Sequence, residues 1–270
     1  MQKQIKSAEE RFASYFEISD TMMKMLSPMI DGGNLKYEKK HTELLKIAFL
    51  FRAWNLYKSI INLLKNDHWE NGLILLRALF ELVLNLEDIT RNKEVELSQT
   101  IRFLKFEKLQ KYLEIKYTTE YDIMRGYKGD EVKKILDKLD KSSKTLFSDF
   151  YNSKRKKWKP TWNSKTIADM ANNSPNEMRK HHYKILYSFM SYFSHSSPMG
   201  VMSSITTLNK EFEEVLRLAE HKEEEMLLFV LFFATNWITD ILFMCDEVID
   251  NLDVSTIMSI RDKFKEKCAI

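Results

Sequence analysis

Glycine and proline together account for only 10 of the 270 residues. Average usage would give roughly 30, at ~7% and ~5%. So few chain breakers exclude a turn-rich β architecture and point to long helices. They also disfavour dinucleotide-binding folds, which need tight glycine turns around phosphate. Neither G-x-G-x-x-G nor G-x-x-x-x-G-K-[ST] occurs, so no cofactor is expected from motifs. Cysteine is nearly absent: Cys245 and Cys268 are far apart and lack metal-type spacing, which suits free thiols in a reducing cytoplasm. The N-terminal run Met1-Gln2-Lys3-Gln4-Ile5-Lys6 has no apolar core of a secretory signal. Long apolar runs are missing too. The longest uncharged one, Met226–Thr239, spans 14 residues, which reads as a buried core helix rather than a membrane span. Charge of one sign is also scarce, at a net +3, so a case for nucleic acid must rest on local patches.

What is present is 30% charged and 44% hydrophobic residues, a mixture that suits a packed helical protein. The pattern predicts an all-α fold: an N-terminal helical extension over 1–35 and a helical bundle over 36–270. Helices are expected over 4–30, 36–66, 69–91, 94–117, 130–152, Lys165 to Ala171, Ser174 to about His195, 220–250 and Asp253 to Lys267. Breaks fall at Gly32-Gly33, at Thr118-Thr119 and at a basic loop, Lys154 to Pro160. Asp67 and Ser164 are expected helix caps, and Ser174-Pro175 with Glu177 reads as a capping box. Residues 72–86 are apolar on nearly every side, which marks a central helix wrapped by others.

Within that oily helix Arg77, Glu81 and Asn85 stand four residues apart, on one stripe. Burying such charges is costly unless they are paired. Tyr183, Tyr187, Ser191 and His195 form a second four-residue stripe. Joined, the stripes make a polar pocket. Arg77 would bind an anion, His195 would move a proton, Glu81 would orient one of them, and Tyr187 and Ser191 would add hydroxyl hydrogen bonds. The opposing reading is a satisfied buried ion pair, since such networks imitate active sites. A second candidate is the loop of Lys154, Arg155, Lys156, Lys157 and Trp158, where cations suit phosphates and the indole suits a base. Its alternative is a solvated loop with the tryptophans folded onto the core. No metal site is expected: Glu38-x-x-His41 lacks the companion ligands of a di-iron bundle, and His181-His182 diverge on a helix.

The runs Arg77-Ala78-Leu79-Phe80-Glu81, Trp162 to Ala168, and Tyr183 through Tyr187, Ser191 and His195 to Pro198 resemble a bacterial family catalogued as domain of unknown function 5677. That likeness spans about residues 40 to 245 and brings no activity with it. The family is similar in general style to the helical nucleotide-binding and ribonuclease domains of higher eukaryotes and prokaryotes. Those occur in toxin–antitoxin and phage-defence systems, and their nucleases carry an Arg and a His with four to six residues between them. Arg217 and His221 have only three residues between them, and Arg179 is closer still to His181 and His182. A ribonuclease here would need Arg77 and His195 to meet from different helices. The resemblance therefore implies a metal-independent ribonuclease or phosphate binder acting on RNA or a nucleotide; the reading of Arg77 and Glu81 as a structural pair leads instead to a non-catalytic interaction module that engages a partner protein or a second copy.

Overall fold

The computed structural model describes residues 7–33, 35–36, 38, 40–194 and 212–268, without the side chains of 212–223 and 268. The chain is predominantly α-helical, and among the described residues its strands form one two-stranded ladder. It divides into two compact units, Met1–Arg91 with Met170–Ile270, and Asn92–Asp169.

In the first unit α1 (Ala8–Arg11) and α2 (Ala13–Ile30) precede α3 (His41–Lys65) and α4 (Trp69–Thr90). Phe16, Met22, Leu26 and Ile30 give α2 a buried face at helical spacing, so this segment is part of the core. The α4 helix packs against α3, α9 (Ser188–Ser194) and α10 (Phe212–Met244), which bury Leu73, Leu76, Leu79, Phe80, Val83 and Leu84. Each such side chain contributes ~1.5–3 kcal/mol. Gly72 lets α4 approach closely, since a Cβ there would meet Leu64 at 3.3 Å. Asp67 does not cap α4. It adopts a left-handed backbone (φ 61°), and its carboxylate accepts from the Ala8 amide and Arg11, tying α1 to the α3–α4 turn.

The Ser174 hydroxyl donates to Glu87 and accepts from the Asn176 amide, so it caps the turn just before α8 (Met178–His182), and Asn176 Oδ1 in turn accepts from the Met178 amide. A π-helical turn, Tyr183–Tyr187, joins α8 to α9, so the expected straight helix is interrupted. Within α10, Glu224–Met244 is long and apolar enough to cross a membrane, at a mean hydropathy of 1.9. It exceeds the uncharged run by taking in Glu224, Glu225 and Asp240, and 61% of its most apolar stretch of 18 residues is buried against neighbours, as a core helix would be. The last helix, α11 (Val254–Cys268), is capped by Asp253, which accepts from the Thr256 amide.

The second unit is a helical hairpin of α5 (Glu96–Met124) and α6 (Asp130–Leu146). The expected break at Thr118-Thr119 is absent. Two β-branched residues cost a helix only a few tenths of a kcal/mol each, ~0.5, and α5 runs through them to the left-handed Gly126 (φ 78°). After α6 stops at Leu146, the basic loop is the turn of a short hairpin: β1 (Tyr151–Asn152) pairs antiparallel with β2 (Lys157–Trp158), and Lys154 to Lys156 lie in the turn between them. Phe106 and Phe150, 5.2 Å apart, and Phe103 and Trp162, at 5.6 Å, fix this segment on α5. The helix α7 (Ile167–Asn172) is capped by Thr166, not by Ser164: Thr166 Oγ1 accepts from the Asp169 amide, and the Asp169 carboxylate accepts from the Thr166 amide. Ser164 is left-handed (φ 62°) and cannot enter the helix.

Candidate functional site

Arg77 and Glu81 are one turn apart on α4, and Arg77 Nε donates to Glu81 Oε1 at 3.1 Å. The helix α9 runs antiparallel across them. Arg77 Nη2 donates to the Tyr187 hydroxyl and Nη1 to the Ser194 hydroxyl, both at 2.8 Å. The Tyr187 hydroxyl in turn donates to Glu81 Oε1 at 2.8 Å, closing a three-membered ring of hydrogen bonds. The guanidinium also lies 4.6 Å from the centre of the Tyr187 ring, a cation–π contact. Burial, and then the Glu81 carboxylate, push the Tyr187 phenol up to about 12, so it stays neutral and donates. The Arg77 side chain is 18% exposed and that of Glu81 35%, so the network lies at the edge of the core rather than inside it.

The two stripes thus meet through Arg77, Glu81 and Tyr187. Asn85 and Ser191 do not join them in the expected way. The Asn85 amide donates to the Glu81 carbonyl, and the Ser191 hydroxyl donates to the Tyr187 carbonyl, each at 2.7 Å within its own helix. Serines bond back to the preceding turn readily. Ser194 takes the place given to Ser191. Tyr183 stacks on Tyr187 with ring centres 5.2 Å apart. His195, assigned the proton transfer, lies outside the described residues, as do the side chains of Arg217 and His221.

A second, deeper cluster had no prominence in the sequence. Arg179, 1% exposed, donates through Nε to Glu87 at 2.8 Å and through Nη2 to Asp240 at 2.5 Å. Ser174 donates to the other Glu87 oxygen at 2.8 Å. The two carboxylates beside Arg179 hold its guanidinium above its ordinary value against the opposing effect of burial. The signal available was a lone arginine opposite Glu87 in the oily helix. Next to it, His182 packs edge-on against Phe233 at 5.2 Å and near Trp237 at 5.9 Å. Burial first, and then Arg179, push its imidazole down to about 4, so it is neutral.

The basic segment forms the tip of the β1–β2 hairpin. Lys154, Arg155, Lys156 and Lys157 are exposed there, and Trp158 is half-buried, edge-on to Tyr151 at 4.8 Å. Among the described residues no group of three His, Cys, Asp or Glu side chains converges. Glu38, half of the E-x-x-H pair, is bound to Lys40 at 2.6 Å.

A family model described as a family of unknown function, DUF5677, matches residues 43–212, more than half of the chain. No curated protein and no solved structure matches it.

Proposed function

The chain belongs to the family of unknown function DUF5677, and within it we propose that this protein is a non-catalytic binding module whose Arg77 network is a structural tie. One observation carries this reading: all three guanidinium nitrogens of Arg77 donate to groups of its own chain. The pair with Glu81 is neutral, so it offers a phosphate no net attraction. Tyr187 and Ser194 hold α9 on α4 through the same guanidinium. The buried thiol of Cys245 fits a cytoplasmic setting.

A metal-independent ribonuclease of a stress or phage-defence system is the second reading. It is favoured by the π-helical turn beside the network, since such turns concentrate at functional sites. Ser194, bonded to Arg77, is also the residue before His195. In that chemistry the RNA 2′-hydroxyl is the nucleophile, with His195 as general acid or base and Arg77 on the phosphate.

Thermal melts of wild type and Arg77→Ala, paired with RNA incubation in EDTA, separate the two. A structural tie predicts a loss of ~1.5–3 kcal/mol, the worth of charged hydrogen bonds, and intact RNA with wild type. A variant that melts like wild type, while wild type cleaves RNA and the variant does not, overturns the proposal.

A further inference from the structure

The basic excess of this chain is concentrated in one unit. Residues 92–169 hold 19 lysines and arginines against 12 acids, a net of +7, so the rest of the chain, within an overall +3, is at −4. Six lysines of that unit, Lys93, Lys105, Lys111, Lys116, Lys128 and Lys144, are paired with acids. The four consecutive cations Lys154, Arg155, Lys156 and Lys157 are exposed, and none makes an ion pair with a described acid.

Four residues span at most about 14 Å even when fully extended. Four like charges are therefore crowded onto one short stretch of backbone and repel one another. The fold holds them together nonetheless. Tyr151 pairs with Trp158 and Asn152 with Lys157, and the Lys159 amide donates to the Phe150 carbonyl at 2.8 Å. Asn152 Oδ1 accepts from the Arg155 amide at 3.0 Å, closing the turn. Lys156 is left-handed (φ 51°), a position that favours glycine or asparagine. A lysine there keeps a cation at the tip against the preference of its own backbone. Beneath the tip lie the half-buried rings of Tyr151 and Trp158.

We propose that this hairpin tip binds the phosphodiester backbone of a single-stranded nucleic acid. The proposal rests on the reading of the chain as a binding module and deepens it by naming the partner. Four exposed cations on one hydrogen-bonded turn, none paired with a described acid, match a chain of regularly spaced single negative charges. Binding releases the counterions condensed on that chain. The Trp158 ring beside the cations adds a stacking surface that tolerates any base.

The test is fluorescence anisotropy of the full chain with labelled single-stranded RNA and DNA of about 20 nucleotides, from about 50 to 200 mM KCl. Four neutralised phosphates predict a slope of log K against log salt of about −2.8, and so an affinity about 50-fold lower across that range. A variant carrying Lys154→Gln, Arg155→Gln, Lys156→Asn and Lys157→Gln should melt like wild type, since all four side chains are exposed. It should bind at least about tenfold more weakly, with most of the slope gone. Wild type that binds neither oligonucleotide overturns the proposal, as does a variant with unchanged affinity and slope. Displacement of the probe by polyglutamate at equal charge overturns it too, because the site then fits acidic protein. A denaturing gel of the RNA probe after incubation in EDTA keeps the two readings apart. Cleavage by wild type would sink the non-catalytic reading and leave the salt slope to decide this one.

Discussion

Arg179→Met removes the cation from a charged cluster in which the arginine is 1% exposed, while keeping most of the side chain's length. Glu87, with a side chain 9% exposed, keeps only the Ser174 hydroxyl on one oxygen and loses both contacts to Arg179 on the other. Asp240, 23% exposed, recovers part of its hydration. Breaking a buried pair from one side typically costs ~3–5 kcal/mol, because a charge is left uncompensated. For a unit of about 190 residues, each kcal/mol moves the melting temperature ~2–4 °C, so a fall of ~6–20 °C is expected by circular dichroism or calorimetry. The double variant Arg179→Met with Glu87→Leu should recover at least about half of that loss, since it also removes the stranded carboxylate. A single variant melting within ~2 °C of wild type would refute the argument. So would a double variant worse than the single one, because the cost would then lie in packing rather than in charge.

Other outcomes follow from the same geometry. The imidazole of His182 falls from 6.5 to about 4 on folding, so the unfolded chain binds more protons between those values. Its contribution is complete above pH 6.5 and is lost as pH falls toward 4; partial exposure holds that loss to ~1–2 kcal/mol. In denaturant titrations at neutral and acid pH, His182→Phe should lessen the acid-side decline, and an unchanged decline would refute the assignment. Burial pushes the Cys245 thiol up to about 12, and its Sγ donates to the Lys46 carbonyl. Peptide mass spectrometry after iodoacetamide at neutral pH should find Cys245 unmodified in native protein and modified in denaturant; equal labelling in both would contradict the burial.

The long amphipathic segments were legible because burial follows a period near 3.6 over many turns. The α4 helix and its Arg77–Glu81 pair could be read from spacing alone, whereas the meeting of Arg77 with Tyr187 could only be supposed, since spacing orders each helix but not which helices touch. Ser194 could not, because four-residue spacing from Tyr187 selects Ser191, whose hydroxyl turns back to its own helix. Arg179 was hidden for a different reason. It sits among Lys180, His181 and His182 in a polar stretch, and its burial depends on Glu87 and Asp240 from α4 and α10. Turn chemistry misled where two caps competed, as at Ser164 and Thr166, since both residue types favour caps and the left-handed backbone of Ser164 leaves no mark in the sequence. The basic stretch could be read as charge but not as a hairpin, because two-residue strands carry no periodicity.

The π-helical turn has a consequence for how this protein tolerates change in chain length. It adds about one residue to a helix that would otherwise advance 100° per position. Upstream of it, Arg179 is phased toward Glu87 and Asp240; Tyr187 at its last position and Ser194 beyond it are phased toward Arg77. Deleting Ile185, a 66% exposed side chain inside the turn, removes almost no buried surface, yet it would rotate one half of the helix by ~100° against the other. Only one of the two arginines could then keep its partners. The turn acts as a phase adjuster between two electrostatic anchors, so this stretch should accept substitutions of side chain far more readily than any change in the number of residues.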